Sequence, residues 1–187
     1  MNSSNKVNNP ELIALLEYVK NSRGFDFRGY KLTTLTRRLR KRMAEVGTEA
    51  FADYQDYLEV HPDEFERLFD TLLINVTSFF RDPEAWNVLR RDVLLELLDH
   101  KPADKPIRVW SVGCASGEEA YTIAIILAEL LGVDTFCERV KIYATDVDQA
   151  ALIQARQATY QAEDLEMLSP EQRQQFFTAS ETGYTFR

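Results

Sequence analysis

Two kinds of hydrophobic pattern divide the chain. From Asn9 to about Asn75 the apolar positions recur at three- and four-residue steps, the period of helices that bury one stripe. "NPELIALLEYVKNSRG" places Asn9 as a cap, Pro10 in the first turn and Gly24 just past the end, which predicts one helix. After the aromatic turn "FDFRGY", Leu32, Leu35, Leu39, Met43 and Val46 form the stripe of a second helix, closed by Gly47. Thr48 is then the candidate cap of a helix over "EAFADYQDYLEV", and Pro62 begins another over "DEFERLFDTLLIN". Asp82 and Pro83 start a helix that runs to about Leu98.

After Pro106 the pattern alternates between strand and helix. "IRVWSVG" is a short buried-type strand, Glu118 to Leu131 a helix ended by Gly132, "RVKIYATDV" a second strand and "DQAALIQARQATY" a second helix. This order is the beginning of a parallel α/β sheet. Ser169, Pro170 and Gln172 give "SPEQRQQFF" a capping pattern, and "TGYTFR" reads as the first part of a strand. The expected organisation is a helical domain over residues 8–80 and an α/β domain over 81–187.

Composition narrows the class. Hydrophobic residues at 45% and charged residues at 28% are those of a folded globular chain. The longest apolar stretch, Ala120 to Leu131, is too short to cross a bilayer, and the polar N-terminus lacks the features of a signal peptide. A cytoplasmic protein without membrane insertion is expected. Cys114 and Cys137 form no CxxC, and His61 and His100 are far apart, so no metal site and no disulfide framework is expected. The net charge of −8 is uneven, with a balance of −2 up to Lys105 and −6 beyond it. Against that acidic background, Lys31 to Arg42 holds six basic residues and no acid. Arg37, Arg38, Arg40, Lys41 and Arg42 fall mostly off the apolar stripe, as a solvated face or as a docking surface for an acidic partner. The overall acidity and the lack of aromatics within "RRLRKR" argue against nucleic acid.

The turn after the first strand, "GCASGEE", carries candidate chemistry. Ligands of open α/β sheets sit beyond the carboxyl ends of the strands, and Gly113 and Gly117 would let backbone approach one there. The spacing is not GxGxxG, and two glutamates would repel a pyrophosphate at a helix N-terminus. "SGEE" fits a capping box, with Ser116 at the cap and Glu119 reaching back to it, which leaves Glu118 to face a cationic or hydroxyl-bearing ligand. At the second strand's end, Asp146 is placed for ribose hydroxyls, while Asp148 is the cap of the next helix. S-adenosylmethionine, a nucleoside with a positive centre and no phosphate, fits these constraints. Another nucleotide, or no ligand, remains compatible with the residues alone.

Four stretches in order, "GFDFRGYKLTTLTRRLRKRM", "LLINVTSFFRDPEAW", "RVWSVGCASGEEAYTIAI" and "IYATDVDQAALIQARQATY", resemble the CheR-type chemotaxis receptor methyltransferases. These S-adenosylmethionine-dependent enzymes esterify glutamates on bacterial chemoreceptors, leaving S-adenosylhomocysteine. The resemblance implies a small all-α N-terminal domain followed by an α/β Rossmann-like methyltransferase domain. It implies cofactor contacts at Asn75, Thr77 and Arg81 of "NVTSFFR", at Glu118 and at Asp146, beside the Gly113 turn, with Arg81 also orienting the reacting groups. It further implies that the basic helix faces the acidic methylation helices of methyl-accepting chemotaxis receptors; a monomer is expected. Family members continue past a segment like "TGYTFR", so the methyltransferase domain is expected to be incomplete here, with a bare flank on its sheet. A module that binds a partner or cofactor without catalysis is the competing expectation.

Overall fold

Helix boundaries in the N-terminal region follow local chemistry. Asn9 accepts a hydrogen bond from the Glu11 N–H at 2.9 Å, Pro10 opens α1 (Pro10–Arg23), and Gly24, at φ +76°, returns its N–H to the Lys20 carbonyl. Asp26 caps a single 3₁₀ turn, Phe27–Gly29, that drives Phe27 into the core against Phe25, Tyr30 and Phe69. In α2 (Leu32–Glu45) the predicted stripe is realised, with Leu35, Leu39 and Met43 fully buried. The computed structural model describes residues 9–73 and 75–187, so the polar N-terminal stretch and the expected domain start at residue 8 lie outside the described residues. Its chain separates into two units, Met1–Ile74 and Asn75–Arg187.

In the first unit α1 packs on α3 (Phe51–Val60) and α2 on α4 (Glu64–Leu72) around one core. Thr48 does not cap α3. Gly47, at φ +76°, turns the chain so that the Thr48 N–H bonds the Met43 carbonyl at 2.9 Å, and Thr48 thereby closes α2. Beneath α2 lies a buried ionic cluster. The Arg42 guanidinium donates to both oxygens of Glu64, and the Tyr54 hydroxyl donates to the same carboxylate at 2.8 Å. Burial pushes the Glu64 carboxyl up, but hydrogen bonds from Arg42 and Tyr54 and the Arg42 charge outweigh it, so the group is held below the usual carboxylate range.

In the second unit, Asp82 precedes α5 (Pro83–Val88) without a side-chain cap, because at φ +56° it uses its carbonyl instead, accepting from the Ala85 N–H at 2.9 Å. The helix continues through a π turn, Leu89–Leu94, into α6 (Leu95–His100), two residues past the expected end. β1 (Ile107–Val112) and β2 (Val140–Thr145) pair in parallel, from Ile107 opposite Val140 to Val112 opposite Thr145. Between them α7 (Glu118–Leu131) spans the expected residues and buries Ile125, Ile126 and Leu127. A short α8 (Val133–Arg139) follows Gly132; its roughly two turns of "VDTFCER" carry too short a stripe to be read from sequence. Asp148 caps α9 (Gln149–Gln157), and Ser169 and Gln172 form the expected capping box of α10 (Pro170–Phe176). "TGYTFR" forms β5 (Gly183–Phe186), the middle strand of an antiparallel sheet between β3 (Thr159–Tyr160) and β4 (Phe177–Ser180).

Phe79 is fully buried in this unit, edge-on to Tyr160 and Phe177. The segment 75–80 is thus packed with the α/β residues, and the division of the chain falls six positions before the expected one. One face of the parallel pair is bare: Trp110 and Val112 are 67% and 64% exposed, with Tyr143 beside them. Among the described residues no single helix is long and apolar enough to cross a membrane.

Arg42→Met leaves Glu64 buried without its cation and should cost the first unit about 3 kcal/mol in urea titrations. Because the folded Glu64 is held low, its stabilisation is present above the unfolded carboxylate range near roughly pH 4.3 and is lost as pH falls through the folded value, a dependence Glu64→Gln should remove. At Gly117, φ is +100° and an added Cβ would meet Ala155 and Tyr121 at 3.0 Å and the Tyr160 hydroxyl at 3.1 Å. Gly117→Ala should therefore destabilise the second unit by about 2 kcal/mol, measured by thermal unfolding.

Candidate functional site

The two parallel strands deliver their turns to the same edge. At the end of β1, Gly113 takes φ +78°, and its N–H and that of Cys114 both bond the Thr145 carbonyl at the end of β2, at 2.8 and 3.1 Å. Asp146 completes the junction. One carboxylate oxygen accepts from the Ala115 N–H and the other from the Asp148 N–H, each at 2.8 Å. The acid that sequence reasoning assigned to a ribose is also the brace between the two turns.

The capping box expected at "SGEE" does not form. Gly117 is the cap residue, so Ser116 stands one position outside the helix and Glu119 at its second residue, where the reach back to the cap is lost. Ser116 instead donates to Glu118 at 2.8 Å, and the Ser111 hydroxyl of β1 donates to Glu119 at 2.7 Å. Glu118 is only 6% exposed. Burial pushes its carboxyl up, reinforced by Asp164, against the hydrogen bonds of its own backbone and of Ser116.

The segment entering α5 forms the opposite wall. The Asn75 amide donates to Asp148 at 2.6 Å, the Phe80 N–H donates to the Thr122 hydroxyl of α7 at 3.2 Å, and Arg81 folds back to donate to the Val76 carbonyl at 2.7 Å. Between this segment and the first turn lies a cavity of about 390 Å³, lined by Thr77, Ser78, Arg81, Trp86, Gly113 and Glu119 among others. The structure thus brings Thr77, Arg81 and Gly113 together. It leaves Asn75 and Asp146 bracing the walls, and Glu118 is buried outside the cavity lining. Asp82 and Glu119 are lining acids that sequence reasoning missed; counting helix positions from Gly117 rather than from Ser116 would have singled out Glu119. The carboxylates of Asp82 and Glu119 and the Arg81 guanidinium on one cavity suit a ligand carrying both a cation and an anion, and the open side of Gly113, where an added Cβ would meet nothing within 4 Å, allows close approach. Cys114 is buried, and burial pushes its thiol up, which removes it as a nucleophile. Among the described residues no group of His, Cys, Asp or Glu is arranged to hold a metal ion.

The basic helix α2 separates into two kinds of residue. Arg37, Arg40 and Lys41 are exposed. Arg38 donates to the Thr71 and Leu73 carbonyls at 2.8 and 3.3 Å, closing the end of α4, while it lines a cleft with Arg37, Lys41, Asp70 and Thr71. Arg42 does not belong to that surface: it is 9% exposed and spent on Glu64, because its position on α2 faces Tyr54 and α4.

Comparison with known proteins accords with this architecture. The family model described as "CheR methyltransferase, SAM binding domain" matches residues 75–187, and "CheR methyltransferase, all-alpha domain" matches residues 10–73. Chemotaxis protein methyltransferase 2 of Pseudomonas aeruginosa is 36% identical over 140 residues, covering 75% of this chain and 48% of that protein. The chemotaxis protein methyltransferases of Listeria monocytogenes and Escherichia coli are 31% and 34% identical, covering 90% and 79% of this chain and 62% and 49% of theirs. The chain spans about half to three-fifths of the length of these relatives. With an all-α domain followed by an S-adenosylmethionine-binding domain, the chain belongs to the CheR methyltransferase family.

Proposed function

We propose that this chain supplies the docking domain and part of the cofactor site of an S-adenosylmethionine-dependent methyltransferase that forms glutamyl methyl esters on bacterial chemoreceptors. The observation that carries the reading is the convergence of Thr77 and Arg81, from one motif, with Gly113 and Glu119, from another, on a single cavity. The donor set fits the cofactor: Glu119 can meet its ammonium, Arg81 its carboxylate, and Asp146, at the adjoining turn, its ribose hydroxyls. Asn75, Thr77, Arg81, Gly113, Glu118 and Asp146 remain the proposed cofactor set, with Glu119 added from the cavity lining.

When bound, S-adenosylmethionine supplies an electrophilic methyl on a sulfonium. A glutamate substrate with an ordinary carboxyl near roughly 4.3 is already ionised at neutral pH, so the chain needs no strong base. Its residues contribute alignment and exclusion of water, with Arg81 orienting the reacting groups. Arg37, Arg40 and Lys41 are the exposed cations offered to acidic methylation helices, in a cytoplasmic monomer. The bare sheet face at Trp110, Val112 and Tyr143 favours a second reading, a module that docks or binds cofactor without transfer.

The test is base-labile methyl release from chemoreceptor incubated with the chain and methyl-labelled S-adenosylmethionine. Ester formation supports the first reading; cofactor binding without ester supports the second. Arg37→Glu with Lys41→Glu should lower receptor methylation roughly tenfold at low salt, and less at high salt, without changing cofactor affinity. Equal loss of both would assign the basic helix to structure.

A further inference from the structure

Asp148 does more than cap α9. Its side chain is buried, at 5% exposure, and its two oxygens have separate tasks. One accepts from the Ala151 N–H at 3.0 Å, which is all a helix cap requires. The other accepts from the Asn75 amide at 2.6 Å, across 73 positions of sequence. The backbone N–H of the same residue is held by Asp146. An ionised carboxylate only accepts hydrogen bonds, so the amide nitrogen of Asn75, not its oxygen, must face Asp148.

We propose that Asp148 is a positioning residue for the cofactor site: it latches the start of the 75–82 segment to the turn that carries Asp146 and fixes which way the Asn75 amide points. The inference rests on the cofactor reading above. Beside the packing of Phe79 on Tyr160 and Phe177, the latch and the Phe80 to Thr122 bond tie the wall bearing Thr77 and Arg81 to the turn after β2 and to α7. With the amide nitrogen committed to Asp148, the Asn75 carbonyl oxygen is the atom left for other partners, so this position presents an acceptor, suited to a hydroxyl or amine of the ligand.

A reciprocal exchange tests the latch in the full chain. Asn75→Asp sets two carboxylates against each other; adding Asp148→Asn restores an amide donor opposite a carboxylate and keeps an oxygen for the Ala151 N–H. Calorimetric titration with S-adenosylhomocysteine should give about tenfold weaker binding for Asn75→Asp and recovery in the double variant. Amide hydrogen exchange over residues 76–82 should accelerate in the single variant and recover in the double one, with the unfolding midpoint recorded for both. Exchange that is unaltered in the single variant, or that fails to recover in the double one, overturns the latch. Should the unsubstituted chain bind no S-adenosylhomocysteine, the cofactor reading fails, and the exchange data alone decide for or against the latch.

Discussion

The site depends on one carboxylate. Parallel strands need a crossover helix between them, so their carboxyl ends open side by side, and past the Gly113 and Cys114 bonds to the Thr145 carbonyl the two turns need a further tie. Asp146 joins them, accepting from Ala115 on one turn and Asp148 on the other. Ala115 sits at φ +45° and Gly113 at φ +78°, conformations that a closing hydrogen bond helps to hold. Through Asp148 the same brace reaches Asn75, and so the segment whose Thr77 and Arg81 line the cavity.

Charges in this chain are divided between those used up by the fold and those left available. Arg42 and Glu64 are buried in mutual contact, Glu118 is buried behind Ser116, and Arg38 is engaged by the carbonyls that end α4. Arg37, Arg40 and Lys41 outside, and Arg81, Asp82 and Glu119 in the cavity, are among those that a partner or ligand can meet. Sequence proximity is a poor guide to this division. Arg40, Lys41 and Arg42 are consecutive, yet the turn of the helix sends the third inward.

Periodicity and capping made most helices legible: α1, α7 and α10 run within the bounds that Asn9, Gly24, Gly132 and Ser169 announce. What escaped depended on single-residue register or on long-range packing. Taking Ser116 instead of Gly117 as the cap assigned Glu119 to a capping box that does not form and so passed over its place on the cavity wall. Thr48 and Asp82 carry capping side chains but serve turns set by positive φ, which composition does not reveal. The grouping of 75–80 with the α/β unit is made by Phe79 packing on Tyr160 and Phe177, a contact between residues some 80 to 100 positions apart on the order of half the chain.

The central claim, put forward as a proposal, is that the first turn of α7 meets a cofactor more directly through Glu119, which lines the cavity, than through the buried Glu118. Calorimetric titration with S-adenosylhomocysteine of the chain and of its Glu119→Gln and Glu118→Gln variants tests it most directly. The account predicts a single site, weakened about tenfold or more by Glu119→Gln and changed by less than about threefold by Glu118→Gln. Strong loss with Glu118→Gln and an unaltered Glu119→Gln would contradict it.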